Sequence, residues 1–288
     1  HPGVIRHRAF IYTDLSAEGT ANCYLVKAAG NYKFKAVLGN SDDTVGNVKK
    51  TEVLWETFGT DVMPNVGDLV TAVGYKNGYV YFSTPELFGN GNASIAVRNS
   101  KDVILWSWHI WCSEEGWNDH VYPNNAGTMM DRNLGATLAI PANVRAFGLL
   151  YQWGRKDPFM ASKSIFDSSQ SAVSTGTWTT SSSAGVDFIE ENPMTFITGY
   201  SWCSAGDGPD RFYRWNSNKT IYDPCPVGYR VPDGGENGFW KVAYCNTIGD
   251  AAFDEGIYWE LANGDLAWYP TAGERSYMDG TLEDARLY

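Results

Sequence analysis

Positive charge is scarce in this chain: 22 Lys and Arg stand against 33 Asp and Glu, a formal net charge of -11. Phosphate-backbone ligands are held mostly by Lys and Arg displacing counterions, so nucleic acid is not an expected partner. Long apolar runs are missing as well; no window comes near the roughly 18 consecutive apolar residues of a membrane-spanning helix, so no transmembrane segment is expected. No charged-then-apolar leader opens at His1, and the chain reads as mature or excised, with any export signal or anchor lying outside it. Histidine is limited to His1, His7, His109 and His120, and no G-x-S-x-G occurs, which argues against a Ser-His-Asp hydrolase. The cysteines Cys23, Cys112, Cys203, Cys225 and Cys245 form no CxxC, which argues against a zinc ribbon or a thioredoxin-type site. They read as small core residues with at most one disulfide, and an odd count leaves at least one unpaired.

What is abundant is aromatic. Aromatic residues make up 15%, with 12 Trp and 17 Tyr, against 19% charged residues, a balance that favours sheet packing over long charged helices. A length of 288 residues implies two domains of about 100–150 residues each. The run Ile104-Leu105-Trp106-Ser107-Trp108-His109-Ile110-Trp111 is expected to be a buried strand at the domain boundary. Its three indoles cannot share one face, because i and i+2 do and i+5 does not; the strand is therefore expected to bend or end near Ile110. Between residues 10 and 105, strand-length runs at 22–26, 32–37, 53–56, 69–73, 79–82 and 93–97 alternate with turn formers. Asn77-Gly78 is the sharpest of these, since a primed two-residue turn needs positive φ at both positions. The spacing predicts an immunoglobulin-like β-sandwich over residues 1–104.

Beyond residue 105 the pattern loosens. A short helix is expected near 144–151 and another over 238–248, with Phe239, Trp240, Val242, Ala243 and Tyr244 as its apolar residues. The Ser/Thr-rich stretch 161–185 reads as an exposed, mobile insertion loop. No fixed-period repeat is present. His109, between tryptophans, reads as a structural imidazole. Glu114-Glu115 and Glu190-Glu191 are adjacent pairs that in an extended chain point to opposite sides, so they do not make a glycosidase carboxylate pair. His109, Glu114, Glu115, Asp119 and His120 lack zinc-site spacing. Calcium is the better metal candidate, with Asp207 and Asp210, or Asn118-Asp119 with Asn124-Asn125, as oxygen ligands, although the turn chemistry of Asp, Asn and Gly explains the same residues.

Three blocks occur in order: Met129-Met130-Asp131-Arg132-Asn133-Leu134-Gly135-Ala136, then Gly148-Leu149-Leu150-Tyr151-Gln152-Trp153-Gly154-Arg155-Lys156-Asp157-Pro158-Phe159, then Cys225-Pro226-Val227-Gly228-Tyr229-Arg230-Val231-Pro232. Together they resemble the Fibrobacter succinogenes major paralogous domain of Bacteroidetes cell surfaces, over roughly residues 104–288. The resemblance implies a C-type-lectin-like fold at 105–288, C-terminally truncated, since that family continues past Trp268-Tyr269-Pro270 into aromatic strands with a late Cys that would pair with Cys225. The stretch 14–26 resembles the opening of the β-sandwich module preceding this domain in Bacteroidales fimbria-associated proteins. The expected fold class is thus mainly β with an α+β second half, an immunoglobulin-like sandwich followed by a C-type-lectin-like domain. Arg132, Arg155 and Arg230 are expected to lock loops to carboxylates such as Asp131 or Asp157.

The resemblance brings no catalytic residues with it, and a non-enzymatic extracellular adhesin is the expected function. It would sit at the cell surface or a fimbria tip, anchored to the outer membrane through segments outside this chain. Its partner would be a glycan or a host or bacterial surface protein. Aromatic faces and Asn side chains suit both, which makes Trp117, Asn118, Tyr122, Asn124, Trp202, Tyr213, Trp215, Trp268 and Tyr269 the candidate ligand-binding residues. No cofactor other than calcium is expected. One alternative is a structural pilus subunit that exchanges strands with other fimbrial subunits, cleavage near Arg6 and Arg8 freeing a groove. Another is a ligand-binding protein whose lectin-like head is diversified by a retroelement.

Overall fold

The structure, a computed structural model, describes residues 10–160, 171–182, 185–199, 214–244, 246–248 and 255–283. It is mainly β. Eight strands build the first half: β1 (Thr13–Asp14), β2 (Cys23–Val26), β3 (Asn31–Lys35), β4 (Lys50–Thr57), β5 (Thr71–Lys76), β6 (Tyr79–Ser83), β7 (Gly91–Arg98) and β8 (Ile104–Cys112). They form two four-stranded sheets, ordered β1-β3-β6-β5 and β2-β8-β7-β4. The Asn77-Gly78 turn joins β5 to β6 as expected, with φ of 52° and 81°.

Alternation explains how the sheets meet. In β3 and β6, Tyr32, Phe34, Val80 and Phe82 point inward, where they share one core with Tyr24, Ile95, Val97, Trp106 and Trp108 from the other sheet. Phe34 lies edge-on to Trp108 at 5.2 Å across the two layers. Glu56, fully buried in β4, accepts backbone N–H groups from Gly67, Leu69 and Val70 at 2.6, 2.9 and 2.7 Å. One carboxylate thereby anchors the loop that enters β5.

Strand β8 is buried on both faces. Trp106, Trp108, Ile110 and Cys112 face the sandwich core. Trp111 instead packs with Cys23 and Met130, while Ser107 and His109 bond to Asp157 and Asn92. The parity argument for the three indoles therefore holds, but the strand neither bends nor stops at Ile110. Its pairing with β7 begins at Ile104 and reaches Cys112, and β2 runs parallel to it from Cys23↔His109 to Val26↔Cys112. Sheet membership thus continues past residue 104, and the second half lies against the outer face of the same strand.

That second half is a set of small sheets. β9 (Asp119–Tyr122) and β10 (Gly127–Met130) form a hairpin; β11 (Leu149–Tyr151) pairs with β12 (Pro158–Met160), and β13 (Thr179–Ser181) runs parallel to β14 (Thr195–Ile197). β15 (Thr247–Ile248), β16 (Gly256–Glu260) and β17 (Leu266–Pro270) make a three-stranded sheet, and β18 (Glu274–Arg275) pairs with β19 (Leu282–Glu283). Among the described residues its α-helices are α1 (Val186–Glu191) and α2 (Phe239–Ala243).

Three expectations change here. The helix anticipated near 144–151 is a 3-10 turn, Val144–Ala146, followed by β11. Gly148 turns the chain between them at φ 73°, and a Cβ there would press on the Leu134 carbonyl, so no helix continues through it. The helix anticipated over 238–248 is only α2, closed by Tyr244 in the left-handed region at φ 40°. Of the stretch taken for a mobile loop, residues 161–170 and 183–184 lie outside the described residues, but 171–182 is anchored. Val173 and Thr175 donate backbone N–H groups to the Thr60 and Glu56 carbonyls beside β4, and β13 follows. No helix among the described residues is long and apolar enough to cross a membrane.

Candidate functional site

A cleft of about 1050 Å³ opens between β10, α2, β16, β17 and the 225–232 loop. Its lining combines Tyr229, Phe239, Trp240, Trp259 and Tyr269 with aliphatic Met129, Leu134, Val231 and Ile257, and with Asp119, Thr128, Arg132, Asn133 and Arg230. Trp240 and Trp259 pack against each other at 4.2 Å. Tyr122 lies beneath, its ring edge-on to Phe239 and Trp240 at 5.1 and 5.4 Å. The Tyr122 hydroxyl donates to that of Tyr269, which donates to the Met130 carbonyl at 2.5 Å and so fastens β17 to β10. A large concave site with mostly apolar walls and a few polar groups is the usual shape of a ligand pocket.

The loop on the far wall is braced from below. Lys219 Nζ donates to the carbonyls of Cys225, Pro226 and Tyr229 at 2.9, 2.8 and 2.8 Å. Its partial burial lowers the ammonium pKa, opposed by the nearby Asp223. Asp223 accepts from Cys225 N and Val231 N, at 2.8 and 2.9 Å. Asn22, at the start of β2, donates to the Ile221 and Asp223 carbonyls and ties this loop to the first sandwich. Tyr229 reaches back over Trp117 and donates its hydroxyl to Asp119 at 2.6 Å.

The two arginines of the cleft lining are paired with carboxylates within the protein. Arg132 forks onto Asp131, Nε to Oδ1 at 2.7 Å and Nη2 to Oδ2 at 3.1 Å. Hydrogen bonds from Arg132 and Asn118 hold the Asp131 carboxyl below its usual range, against the opposing effect of burial. Arg230 forks onto Asp233 at 2.9 and 2.8 Å. Of the expected arginine pairs, Arg132–Asp131 forms, whereas Arg155 donates to Gln152 and the Thr195 carbonyl; Asp157 is held by Lys156 and Ser107 instead.

The cluster of Lys156, Asp157 and Ser107 has the outward form of a serine–lysine dyad, with Nζ 2.7 Å from Ser107 Oγ and 2.8 Å from Asp157 Oδ1. Desolvation lowers the Lys156 pKa, while Asp157 pulls it up. All three side chains are buried, and Trp106 lies 4.4 Å from the ammonium. The arrangement is a closed polar knot joining β8 to the second half, without substrate access. Burial also pushes the Cys23 and Cys225 thiols well above their usual range, which suppresses thiolate chemistry. Cys23, Cys112 and Cys225 are free thiols here.

Of the residues singled out from the sequence, Tyr269 lines the cleft. Trp117 supports it from behind, stacked on Trp111 at 5.3 Å and edge-on to Tyr229. Asn118 donates to Asp131, and Asn124 is an exposed left-handed turn residue whose side chain donates to the Ala243 carbonyl. Tyr122 and Trp268 are buried, Trp268 against Gly256. Trp215 lies elsewhere, beside Trp153 and bonded to the Tyr222 carbonyl. Trp202, Tyr213 and the calcium candidates Asp207 and Asp210 lie outside the described residues; among the described ones no group of three or more His, Cys, Asp or Glu is placed to hold a metal ion. The cleft residues not singled out were Tyr229, Phe239, Trp240 and Trp259. Tyr229 stood in the third block, and Phe239 and Trp240 in the expected second helix, whereas Trp259 lay in neither. Compared with known proteins, the chain matches no family model, no curated protein and no solved structure.

Proposed function

We propose that this chain is a non-enzymatic extracellular adhesin, displayed on a bacterial cell surface or fimbria tip, in which an immunoglobulin-like sandwich carries a C-type-lectin-like head. The observation that carries the reading is the aromatic cleft: a large, pre-formed recess on the second half, braced by Lys219, Asp223 and the Tyr122–Tyr269 chain, with its two arginines already paired. Rigid aromatic walls of this kind provide contact area at low entropic cost. They suit binding of a glycan or a surface protein better than turnover, which needs an acid, base or nucleophile open to substrate. The first and third of the ordered sequence blocks support the same assignment, since Met129, Met130, Arg132, Asn133, Leu134, Cys225 and residues 228–232 line the cleft.

The sandwich gives strand exchange less to stand on, because Phe34, Val80, Phe82 and Ile95 are already fully buried by the chain's own strands. A broad glycan array together with a pull-down against host and bacterial surface proteins tests the proposal. Specific capture supports it, and a blank result in both, obtained with the folded chain, overturns it.

A further inference from the structure

Resting on the recognition reading above and narrowing it, we infer that the cleft takes an extended segment of another polypeptide, added as a strand to the free edge of β10, apolar on both faces and carrying a lysine or arginine toward Asp119. The first ground is the edge itself. β9 and β10 form a sheet of two strands, so among the described residues β10 has no strand on its other side. The phase of their pairing is fixed by Asp131, whose N–H donates to the Asn118 carbonyl one step beyond the Met130↔Asp119 pair. In an antiparallel ladder this makes Met130↔Asp119 and Thr128↔Val121 the non-hydrogen-bonded pairs, with N–H and carbonyl groups turned away from the partner strand. Two bonds agree with that phase. The Val121 carbonyl accepts from Ala262 beyond β9, and the Met130 carbonyl accepts from the cleft residue Tyr269. Thr128 is exposed, and its outward N–H and carbonyl are the groups an added strand would bond.

The second ground is an apolar wall on each side of this edge. Met129 packs with Trp240, Trp259 and Tyr269 on one face of the hairpin, while Met130 packs with Leu134 and Tyr229 on the other, and all of them line the recess. Successive side chains of an added strand point to opposite faces, so both walls are covered at once. A ring stacked on Trp240 alone would use one wall and leave the edge unbonded. The volume of about 1050 Å³ stands at the upper end of the roughly 300–1,000 Å³ of pockets for drug-sized ligands, which leaves room for several extended residues.

Charge selects the occupant. Asp119 lines the cleft opposite Met130, accepts the Tyr229 hydroxyl and meets no cation among the described residues. Both arginines of the lining are already held, by Asp131 and Asp233. A basic side chain therefore finds a counter-charge here and an acidic one does not. The net charge of -11 sets a second copy of this chain at a long-range disadvantage against a partner of other composition.

The test is a titration of the full chain, isotopically labelled on backbone nitrogen, with short acetylated and amidated peptides that carry a Val-Phe-Val core and one Lys before or after it. Their counterparts have Glu in place of Lys, or N-methyl groups on alternate amides in either phase; neutral disaccharides are titrated alongside. The expected result is binding of a Lys peptide that shifts the Thr128 amide and protects it from exchange. Thr128→Pro removes the outward N–H without touching a bond to β9 and should weaken binding about tenfold, whereas Thr128→Val should not. Methylation in one phase should weaken binding by a like factor and in the other phase leave it, which reads the same bonds if the proline variant fails to fold. The Glu peptides should bind more weakly than the Lys peptides, by a margin that shrinks in high salt. The inference is overturned if neither Lys peptide binds, if both methylation phases are tolerated, or if the Glu peptides bind as tightly. A disaccharide that displaces the peptide overturns it too, as does a dimer of the unliganded chain in which the Thr128 amide is protected. Each of these results spares the recognition reading, which falls only if every ligand here fails and the array and pull-down are blank.

Discussion

Acid should loosen this protein through His109, and the size of the effect follows from where β8 places the ring. The imidazole is 3% exposed, with Nε2 2.8 Å from Asn92 Oδ1 and Trp55 and Trp111 stacked at 6.5 and 6.4 Å. Asn92 Nδ2 donates to the Gly135 carbonyl, so Oδ1 faces the ring and Nε2 carries the hydrogen. Burial without a counter-charge pushes the pKa from 6.5 down to about 3. In the unfolded chain the group protonates near 6.5, whereas in the folded chain it stays neutral until about pH 3. The unfolded state therefore binds the extra proton throughout that window. Stability is fully present above 6.5 and is lost at about 1.4 kcal/mol per pH unit below it, or about 2 kcal/mol between pH 7 and pH 5. His109→Gln removes the titration while keeping a donor for Asn92. Urea unfolding of both proteins at pH 7 and pH 5 measures the difference: the parent should lose about 2 kcal/mol more than the variant over that interval. Equal losses in the two proteins would refute the reasoning, whatever the variant's absolute stability.

Other perturbations read other parts of the fold. Glu56→Ala strands the N–H groups of Gly67, Leu69 and Val70, and urea unfolding should show a loss of about 3 kcal/mol, with faster amide exchange at Leu69 and Val70. Glu56→Gln, which keeps an acceptor oxygen, should lose less. Lys156→Met leaves Asp157 buried without its counter-charge and should cost about 3–5 kcal/mol, while the double change Lys156→Met with Asp157→Leu should recover a large part of it in a double-mutant cycle. Gly256→Ala drives a Cβ into the Trp268 indole and the Tyr269 carbonyl, and thermal unfolding should report a loss of about 1–3 kcal/mol.

The sandwich strands were legible in the sequence because turn residues bracket them and one face stays wet: Lys33 and Lys35 alternate with Phe34, and Asn77-Gly78 admits few other geometries. Strand β8 was legible as a strand, and its indoles as belonging to opposite faces, but not in its reach. With both sides dry, alternation of polar and apolar residues disappears and nothing in the pattern marks where a packed layer ends. The helices were overread for local reasons, at Gly148 and Tyr244, where the backbone leaves the helical region. The cleft was hardest to anticipate. Arg132, Tyr229, Trp240, Trp259 and Tyr269 come together only through pairings between distant segments, such as Tyr258↔Trp268 and the bond from Tyr269 to Met130. Taken singly, each aromatic reads equally well as a core residue, as Tyr122 and Trp268 prove to be.

Because Trp111 sits against Met130, Leu134, Trp117 and Tyr229 on one side of β8 while Trp108 sits in the sandwich on the other, the two halves share a party wall. Exchanging one half for that of a relative would require the newcomer to bring side chains shaped to the same indole. Recombination at this joint is thus constrained by carpentry, and because Met130, Leu134 and Tyr229 belong both to that wall and to the cleft, the constraint reaches the recess itself.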